Sequence, residues 1–202
     1  MASKFAVFSY LLIVVNIVVF IQSILDPEAY NVLITTYGLV PVQVTNGENL
    51  LSLVTSMFLH ADILHLGMNM LFLLLSGDVV ERELGNFRFL GLYLACGVIA
   101  GHFYSYLNAA STIPTIGASG AIFGILAVLA IRVPFRWMFK LFGLIPIPLP
   151  AILFVFLTVL TETAYVSSGI VENVAHTAHI GGFLAGLFLT LLFMSKKKKT
   201  KE

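Results

Sequence analysis

Charged residues and cysteines are both scarce in this sequence. Only 10% of its 202 residues are charged, whereas about 25% is usual in a soluble domain, and 59% are hydrophobic. The single cysteine, Cys96, excludes an intrachain disulfide and is interpreted as a packing residue. With a mean hydropathy of +1.00, the chain carries more apolar surface than one soluble core could hold. The sequence predicts an all-α membrane protein whose surroundings are the lipid bilayer, with no nucleic-acid partner and no cofactor.

Six apolar segments approach the roughly 20 residues that a helix needs to cross a bilayer. They cover about residues 5–25, 63–80, 89–107, 118–133, 144–166 and 174–194. The first is followed by no small-residue cleavage site, so we expect a retained helix rather than a signal peptide. The six segments form one predicted domain, residues 1–195, followed by a basic tail, residues 196–202.

Positive charge falls on one side of this six-span arrangement. All eleven Lys and Arg residues lie before the first span, after the sixth, or around the second-to-third and fourth-to-fifth connections. The opposite connections carry acidic residues and no basic ones. By the positive-inside rule both termini are predicted to be cytoplasmic, in the plasma membrane of a prokaryote.

The first outer connection, residues 26–62, is too long for a plain turn. Within it, apolar residues recur at helical spacing and polar residues occupy the opposite side. This pattern predicts a helix lying in the membrane interface. The apolar set is Leu50, Leu51, Leu53, Val54, Met57 and Phe58, and the polar set is Asn49, Ser52, Thr55 and Ser56.

Polar residues are costly inside a bilayer, and they occur at similar depths in three of the predicted spans. His65 and Asn69 lie in the second, Ser119 in the fourth, and His176 and His179 in the sixth. The fourth span is short, about 24 Å against roughly 30 Å of hydrocarbon, so its outer end is about 6 Å deep. In the sixth span, His179 is predicted at about 7–8 Å.

Ser119 begins the short fourth span, where free backbone N–H groups and the helix dipole favour a developing oxyanion. An imidazole beside a serine hydroxyl is a minimal nucleophile and base for acyl transfer. We expect Ser119 to meet His179 through two small-residue pairs, Gly120 with Gly124 and Gly182 with Gly186. Because no Asp or Glu is expected in the outer third of any span, a dyad without a third carboxylate is predicted.

Three motifs in order along the chain resemble those of the rhomboid intramembrane serine proteases. Residues 117–124 (GASGAIFG) resemble the nucleophile motif, and residues 178–182 (AHIGG) with Gly186 resemble the last-helix motif. Residues 65–69 (HLGMN) resemble the second-helix motif, and Glu81-Arg82 before Gly85 resembles its cytoplasmic end. The resemblance covers nearly the whole chain and implies a minimal six-helix form.

The resemblance implies an endopeptidase that cuts single-span membrane proteins near the outer face. Ser119 would attack and His179 would act as base, while His65 and Asn69 would assist the Ser119 N–H in binding the oxyanion. Phe123 would pack on the imidazole, and His176, Gly117 and Gly120 would line the site. In the first outer loop, family members often carry a Trp-Arg pair where this chain has Leu51-Ser52.

Other readings are less consistent with the residues. A zinc protease would need a His-Glu-x-x-His helix, which residues 176–179 do not supply, so no metal is expected. An aspartyl protease needs two facing aspartates, and Asp78 is the only candidate. A small transporter or channel would be favoured by charged residues at mid-membrane, and the predicted spans lack them. The remaining alternative is a rhomboid-like pseudoenzyme that binds membrane clients without cleaving them.

Overall fold

The structure is a computed structural model that describes residues 5–142, 145–168 and 175–193. Its elements, in chain order, are helices α1 to α10 and one pair of strands, with a 3-10 turn at Ser56–Phe58 and a π-helical turn at Leu73–Gly77. The bounds are α1 Val7–Leu25, α2 Pro27–Tyr37, α3 Pro41–Thr45, α4 Ser52–Thr55, α5 Ile63–Phe72, α6 Asp78–Leu84, α7 Asn86–Leu107, α8 Ser119–Arg132, β1 Trp137–Phe142, β2 Ile145–Pro150, α9 Ala151–Ser168 and α10 His176–Phe193.

Within the described ranges, four helices are long and apolar enough to cross a membrane: α1, α5–α6 taken together, α7 and α9. The helices α8 and α10 are apolar but shorter. A helix therefore lies in each of the six predicted segments, and the six-span topology with cytoplasmic termini stays a prediction. The sixth segment was predicted over 174–194, and its two end residues lie outside the described ranges.

The predicted start of the fifth span is wrong. Residues 145–150 form strand β2, and the helix begins at Ala151 rather than at residue 144. Proline at positions 146, 148 and 150 explains the difference, because a proline in a helix interior removes a backbone hydrogen bond and clashes with the preceding turn. The β1–β2 pair is thus a departure from the all-α expectation.

The prolines also limit how this antiparallel pair can grow. In its register, Pro150 lies opposite Trp137, Pro148 opposite Phe139 and Pro146 opposite Leu141. Prolines have no N–H to donate, so these are the non-hydrogen-bonded pairs of the alternating ladder. The three proline nitrogens face the outer edge of β2 and carry no N–H. That edge therefore has no N–H donors at these positions for a further strand.

Helix α8 forms the centre of the molecule. Every residue from Gly120 to Ala130 is buried, and the helix packs mainly against α10 and α7. A helix that is apolar on all sides is expected to be enclosed by others. Its first residue, Ser119, is consequently held by a rigid element rather than by a loop.

Helix α1 is anchored by a carboxylate from α6. The fully buried Glu81 accepts hydrogen bonds from the Phe8 N–H at 2.8 Å and from the N–H and hydroxyl of Ser9, both at 2.7 Å. The first N–H groups of a helix have no partner within the helix. Glu81 satisfies two of them and so fixes the start of α1 against α6.

The first outer connection contains a helix near residue 52, as predicted, but burial does not divide its apolar residues from its polar ones. Ser52 and Ser56, expected on the polar side, are buried, and Leu51 is 66% exposed. The helix has only four α-helical residues before it tightens into a 3-10 turn. It therefore does not keep the 3.6-residue period on which the prediction rested.

The same connection pairs with the segment that leads to Ser119. Leu39 and Thr115 exchange two backbone hydrogen bonds of 3.0 and 2.8 Å, and the Val42 N–H donates to the Ser111 carbonyl at 3.0 Å. These bonds satisfy backbone groups that would otherwise be unpaired in an irregular segment. They fix the approach to the start of α8.

Candidate active site

Ser119 and His179 meet where α8 and α10 begin. The Ser119 Oγ lies 2.7 Å from the His179 Nε2, a hydrogen-bond distance. His179 is 7% exposed. The structure thus brings together the two residues that the sequence predicted to be nucleophile and base.

Two glycine contacts bring these helices close. A Cβ atom at Gly182 would overlap the carbonyl oxygen of Gly120, and one at Gly186 would overlap the carbonyl oxygen of Gly124. Small residues allow membrane helices to approach backbone to backbone. The predicted contact between the fourth and sixth helices is therefore present, and it sets the separation of Ser119 and His179.

Phe123 holds the imidazole of His179 in place. The two rings are stacked with centroids 4.5 Å apart and planes 4° apart. Phe123 lies four residues after Ser119, which places both side chains on one face of α8. The packing that the resemblance implied for Phe123 is present, and it restricts rotation of the imidazole.

A carboxylate that the sequence reading missed lies on the other side of His179. Glu162 Oε2 is 2.7 Å from the His179 Nδ1. The expectation that no carboxylate lies in the outer third of a span is therefore wrong. Glu162 is six residues before the end of α9. A lone carboxylate within an apolar run was the available signal, because charges inside a membrane usually mark function.

His176 joins the same network. Its Nδ1 lies 2.6 Å from Glu162 Oε2, so one carboxylate oxygen contacts two imidazoles. The Tyr165 ring stacks on the His176 ring, with centroids 4.9 Å apart and planes 4° apart. His176 was predicted to line the site, and the structure places it against Glu162 rather than against Ser119.

Glu162, His176 and His179 have the chemistry of a metal-ligand set, since one ligand atom from each lies within 4.8 Å of the others. The geometry is nevertheless that of hydrogen bonds. Ligands bound to tetrahedral zinc at about 2.1 Å stand about 3.4 Å apart, whereas Glu162 Oε2 is 2.6 and 2.7 Å from the two ring nitrogens. We interpret the three side chains as a hydrogen-bond network.

His65 lies beside Ser119, against Gly117. A Cβ atom at Gly117 would come 2.8 Å from the His65 Nε2, and the φ of +126° at Gly117 also favours glycine. The Ala61 N–H donates to the His65 Nδ1 over a long 3.4 Å. Because Nδ1 accepts, Nε2 carries the proton in the neutral ring. A donor therefore lies next to the serine, as an oxyanion site requires.

Asn69 is buried one turn further along α5, but its amide is engaged within the helix. The Asn69 Nδ2 donates to the His65 carbonyl oxygen at 2.9 Å. The structure thus places Asn69 behind His65, on the same helix face. The predicted oxyanion role of Asn69 stays a prediction.

His60 packs against His65. The ring centroids are 5.0 Å apart in an edge-on arrangement, and His60 is 2% exposed. Neither of its ring nitrogens has a hydrogen-bond partner among the described residues. Burial, reinforced by the neighbouring His65, lowers the pKa of His60 to about 3. His60 is therefore neutral at physiological pH.

Comparison with known proteins places this architecture in a family. The rhomboid domain matches residues 47–196. This chain belongs to the rhomboid family. It is 34% identical over 156 residues to the putative rhomboid protease YdcA of Bacillus subtilis, an alignment that covers 77% of this chain and 73% of YdcA. Family and relatives confirm the predicted class, a rhomboid-type intramembrane serine protease, and the apolar helices are those of a multi-pass membrane protein.

Other relatives are longer than the region they share with this chain. The rhomboid protease GluP of Bacillus subtilis is 39% identical over 137 residues, which cover 67% of this chain and 24% of GluP. RHOMBOID-like protein 4 of Arabidopsis thaliana is 33% identical over 160 residues, 79% of this chain and 38% of the relative. This chain therefore matches less than half of the length of these two relatives.

Proposed function

We propose that this protein hydrolyses peptide bonds of membrane-protein substrates within the bilayer, with Ser119 as nucleophile and His179 as general base. The observation that carries the proposal is the 2.7 Å contact between Ser119 Oγ and His179 Nε2. That distance lies within the reach that activation of a serine by an imidazole requires. The location of Ser119 at a helix start adds backbone donors for the oxyanion.

The reaction proceeds in two halves. Ser119 Oγ attacks the substrate carbonyl carbon, and its proton passes to His179 Nε2. The imidazolium gives this proton to the leaving amine as the C–N bond breaks, which leaves an acyl ester on Ser119. Water then attacks the ester carbonyl while His179 Nε2 accepts its proton. The imidazolium returns this proton to Ser119 Oγ as the ester C–O bond breaks, which releases the product carboxylic acid and restores both residues.

Two donors are placed to stabilise the tetrahedral intermediates. The Ser119 backbone N–H lies in the first turn of α8, where it has no partner within the helix. The Nε2–H of His65 lies against Gly117, two residues away. A single oxyanion donor is typically worth about 10²–10³-fold in turnover. The Asn69 side-chain amide donates to the backbone carbonyl of His65. Asn69 is the third candidate donor to the oxyanion.

We further propose that substrates are single-span helices cut near the outer face of a prokaryotic plasma membrane, with both termini of the protease cytoplasmic. His179 is three residues into α10, about 4–5 Å along the helix. A peptide bond in a regular helix is shielded, so the substrate must unwind locally. Gly and Pro disfavour helix by about 1 and 3 kcal/mol relative to Ala, so such residues should mark the cleaved region.

Cleavage of a generic single-span substrate in liposomes tests the proposal. The wild-type protein and the matched control Ser111→Ala should both cut, and folded Ser119→Ala and His179→Ala should not. Mass spectrometry of the fragments should map the cut to the outer boundary of the substrate span. Activity in folded Ser119→Ala would overturn the mechanism. A folded wild-type protein that binds the substrate and never cuts it would instead support the pseudoenzyme.

A further inference from the structure

The carboxylate behind His179 leads to an inference that rests on the proposed function and deepens it. We propose that Glu162 is a positioning residue, which holds His179 as the tautomer that accepts the Ser119 proton. The site is then a Ser–His–Glu triad rather than a dyad, and His176 is the second support of the carboxylate.

The tautomer follows from the hydrogen bonds. An ionised carboxylate can only accept, so the His179 Nδ1 that lies 2.7 Å from Glu162 Oε2 must carry a proton. A neutral imidazole with its proton on Nδ1 has a lone pair on Nε2. That lone pair faces the Ser119 hydroxyl at 2.7 Å. Without an acceptor behind it, the ring could place its proton on Nε2, where it cannot act as a base.

The location of the carboxylate favours a functional role over a purely structural one. Glu162 lies within an apolar helix, and its side chain is 16% exposed. A charge in such a place is retained only where partners compensate the loss of hydration. Here two imidazole nitrogens contact the same oxygen, Oε2, at 2.6 and 2.7 Å. Charge-assisted hydrogen bonds of this length are the strong ones.

His176 restricts the carboxylate from the second side. Its ring is fixed by stacking on Tyr165, and its Nδ1 contacts Oε2 at 2.6 Å. Glu162 therefore cannot turn away from His179 without losing both contacts. This network explains how a flexible side chain with three rotatable bonds is kept in line with the Ser119–His179 pair.

Glu162 also acts during the reaction, when positive charge develops on the His179 imidazole. When Ser119 attacks, its proton moves to His179 Nε2 and the imidazole becomes an imidazolium with protons on both nitrogens. The ionised carboxylate stabilises this positive charge without taking the proton itself. The proton then leaves Nε2 for the amine as the peptide bond breaks, so Glu162 has the same charge before and after each cycle.

Two substitutions at Glu162 separate charge from shape. Glu162→Gln keeps the size and removes the charge, whereas Glu162→Asp keeps the charge and shortens the side chain. Loss of the third carboxylate costs up to about 10⁴-fold in kcat in serine-protease triads. We expect Glu162→Gln to lower kcat at least about 10-fold with little change in KM, and Glu162→Asp to retain more activity than Glu162→Gln.

Solution or solid-state ¹⁵N NMR of histidine-labelled protein gives a second measurement. The His179 signal, assigned with His179→Ala, should show the Nδ1–H tautomer in the wild type and a loss of that tautomer in Glu162→Gln. His176→Ala should lower kcat less than Glu162→Gln because one contact to the carboxylate remains. Glu48→Gln makes the same chemical change at an exposed position and should match the wild type in both measurements.

The outcomes distinguish this inference from the proposed function. If Ser119→Ala is inactive while Glu162→Gln keeps the wild-type kcat and the wild-type His179 tautomer, the proposed protease function stands and the triad is overturned. Activity in folded Ser119→Ala would overturn the proposed function itself. If Glu162→Gln is more active than Glu162→Asp, shape rather than charge governs the site, and the triad is also overturned.

Discussion

The contact between α8 and α10 predicts a large effect for the smallest possible substitution, Gly182→Ala. The added Cβ atom would overlap the carbonyl oxygen of Gly120, which belongs to backbone and cannot swing aside. The helices must therefore separate, by about 1 Å. Overpacking of this kind costs about 1–3 kcal/mol, and the higher helix propensity of Ala returns about 1 kcal/mol. We expect a net destabilisation of up to about 2 kcal/mol.

The effect on activity should exceed the effect on stability. His179 lies three residues before Gly182 on α10, so a shift of about 1 Å would break its 2.7 Å contact with Ser119 Oγ. A displacement of this size can cost about 10²-fold in rate. Thermal unfolding in detergent and kcat for a single-span substrate measure the two effects separately.

The matched control is Gly91→Ala, on the exposed side of α7. No atom lies within 4 Å of a Cβ atom built there, so this substitution should leave kcat unchanged and stability equal or slightly higher. Wild-type kcat in a folded Gly182→Ala would refute the view that this glycine contact positions His179. An equal loss in Gly91→Ala would point to a general effect of alanine in these helices.

Three further predictions concern other parts of the molecule. Glu81→Ala should lower the free energy of unfolding by about 1–3 kcal/mol, because three donors at the start of α1 lose their acceptor. The kcat of the folded variant should stay nearly unchanged, and an unaltered unfolding temperature would contradict this prediction. His65→Ala and Asn69→Ala should each lower kcat by at most about 10²–10³-fold, and both variants should stay more active than Ser119→Ala. Wild-type kcat in both variants would mean that the two residues only pack against each other. Burial lowers the pKa of His60 to about 3 in the folded protein, whereas the pKa in the unfolded chain is about 6.5. Between these two pH values only the unfolded chain binds a proton at His60. The free energy of unfolding should therefore fall as the pH drops from about 6.5 towards 3, and it should fall less steeply in His60→Leu. The same pH dependence in both proteins would contradict this prediction.

Most helix positions could be predicted from the sequence because lipid permits few alternatives for an apolar segment. The fourth segment, predicted over 118–133, is helical over Ser119–Arg132. The fifth was misplaced because hydropathy alone does not distinguish an apolar strand from a helix. The alternating prolines at 146, 148 and 150 carried that information through their missing N–H groups.

The proximity of Ser119 and His179 was predictable for a different reason. Each is a polar residue near the start of an otherwise apolar helix, and glycines about one turn away allow the helices to touch. Glu162 was missed although the predicted end of the fifth span at residue 166 already put it about 6 Å inside, the depth expected for Ser119. In the structure α9 continues to Ser168, which puts Glu162 about 9 Å from the end of the helix.

The first outer connection supports the active site through its backbone. The resemblance implies a Trp-Arg pair where this chain has Leu51-Ser52, and the buried Ser52 hydroxyl has no hydrogen-bond partner among the described residues. The Ser56 carbonyl accepts the Gly117 N–H at 2.9 Å. Gly117 lies two residues before Ser119 and directly against His65. Ser56 of this connection therefore acts on the site through its backbone carbonyl, by fixing Gly117 beside Ser119 and His65.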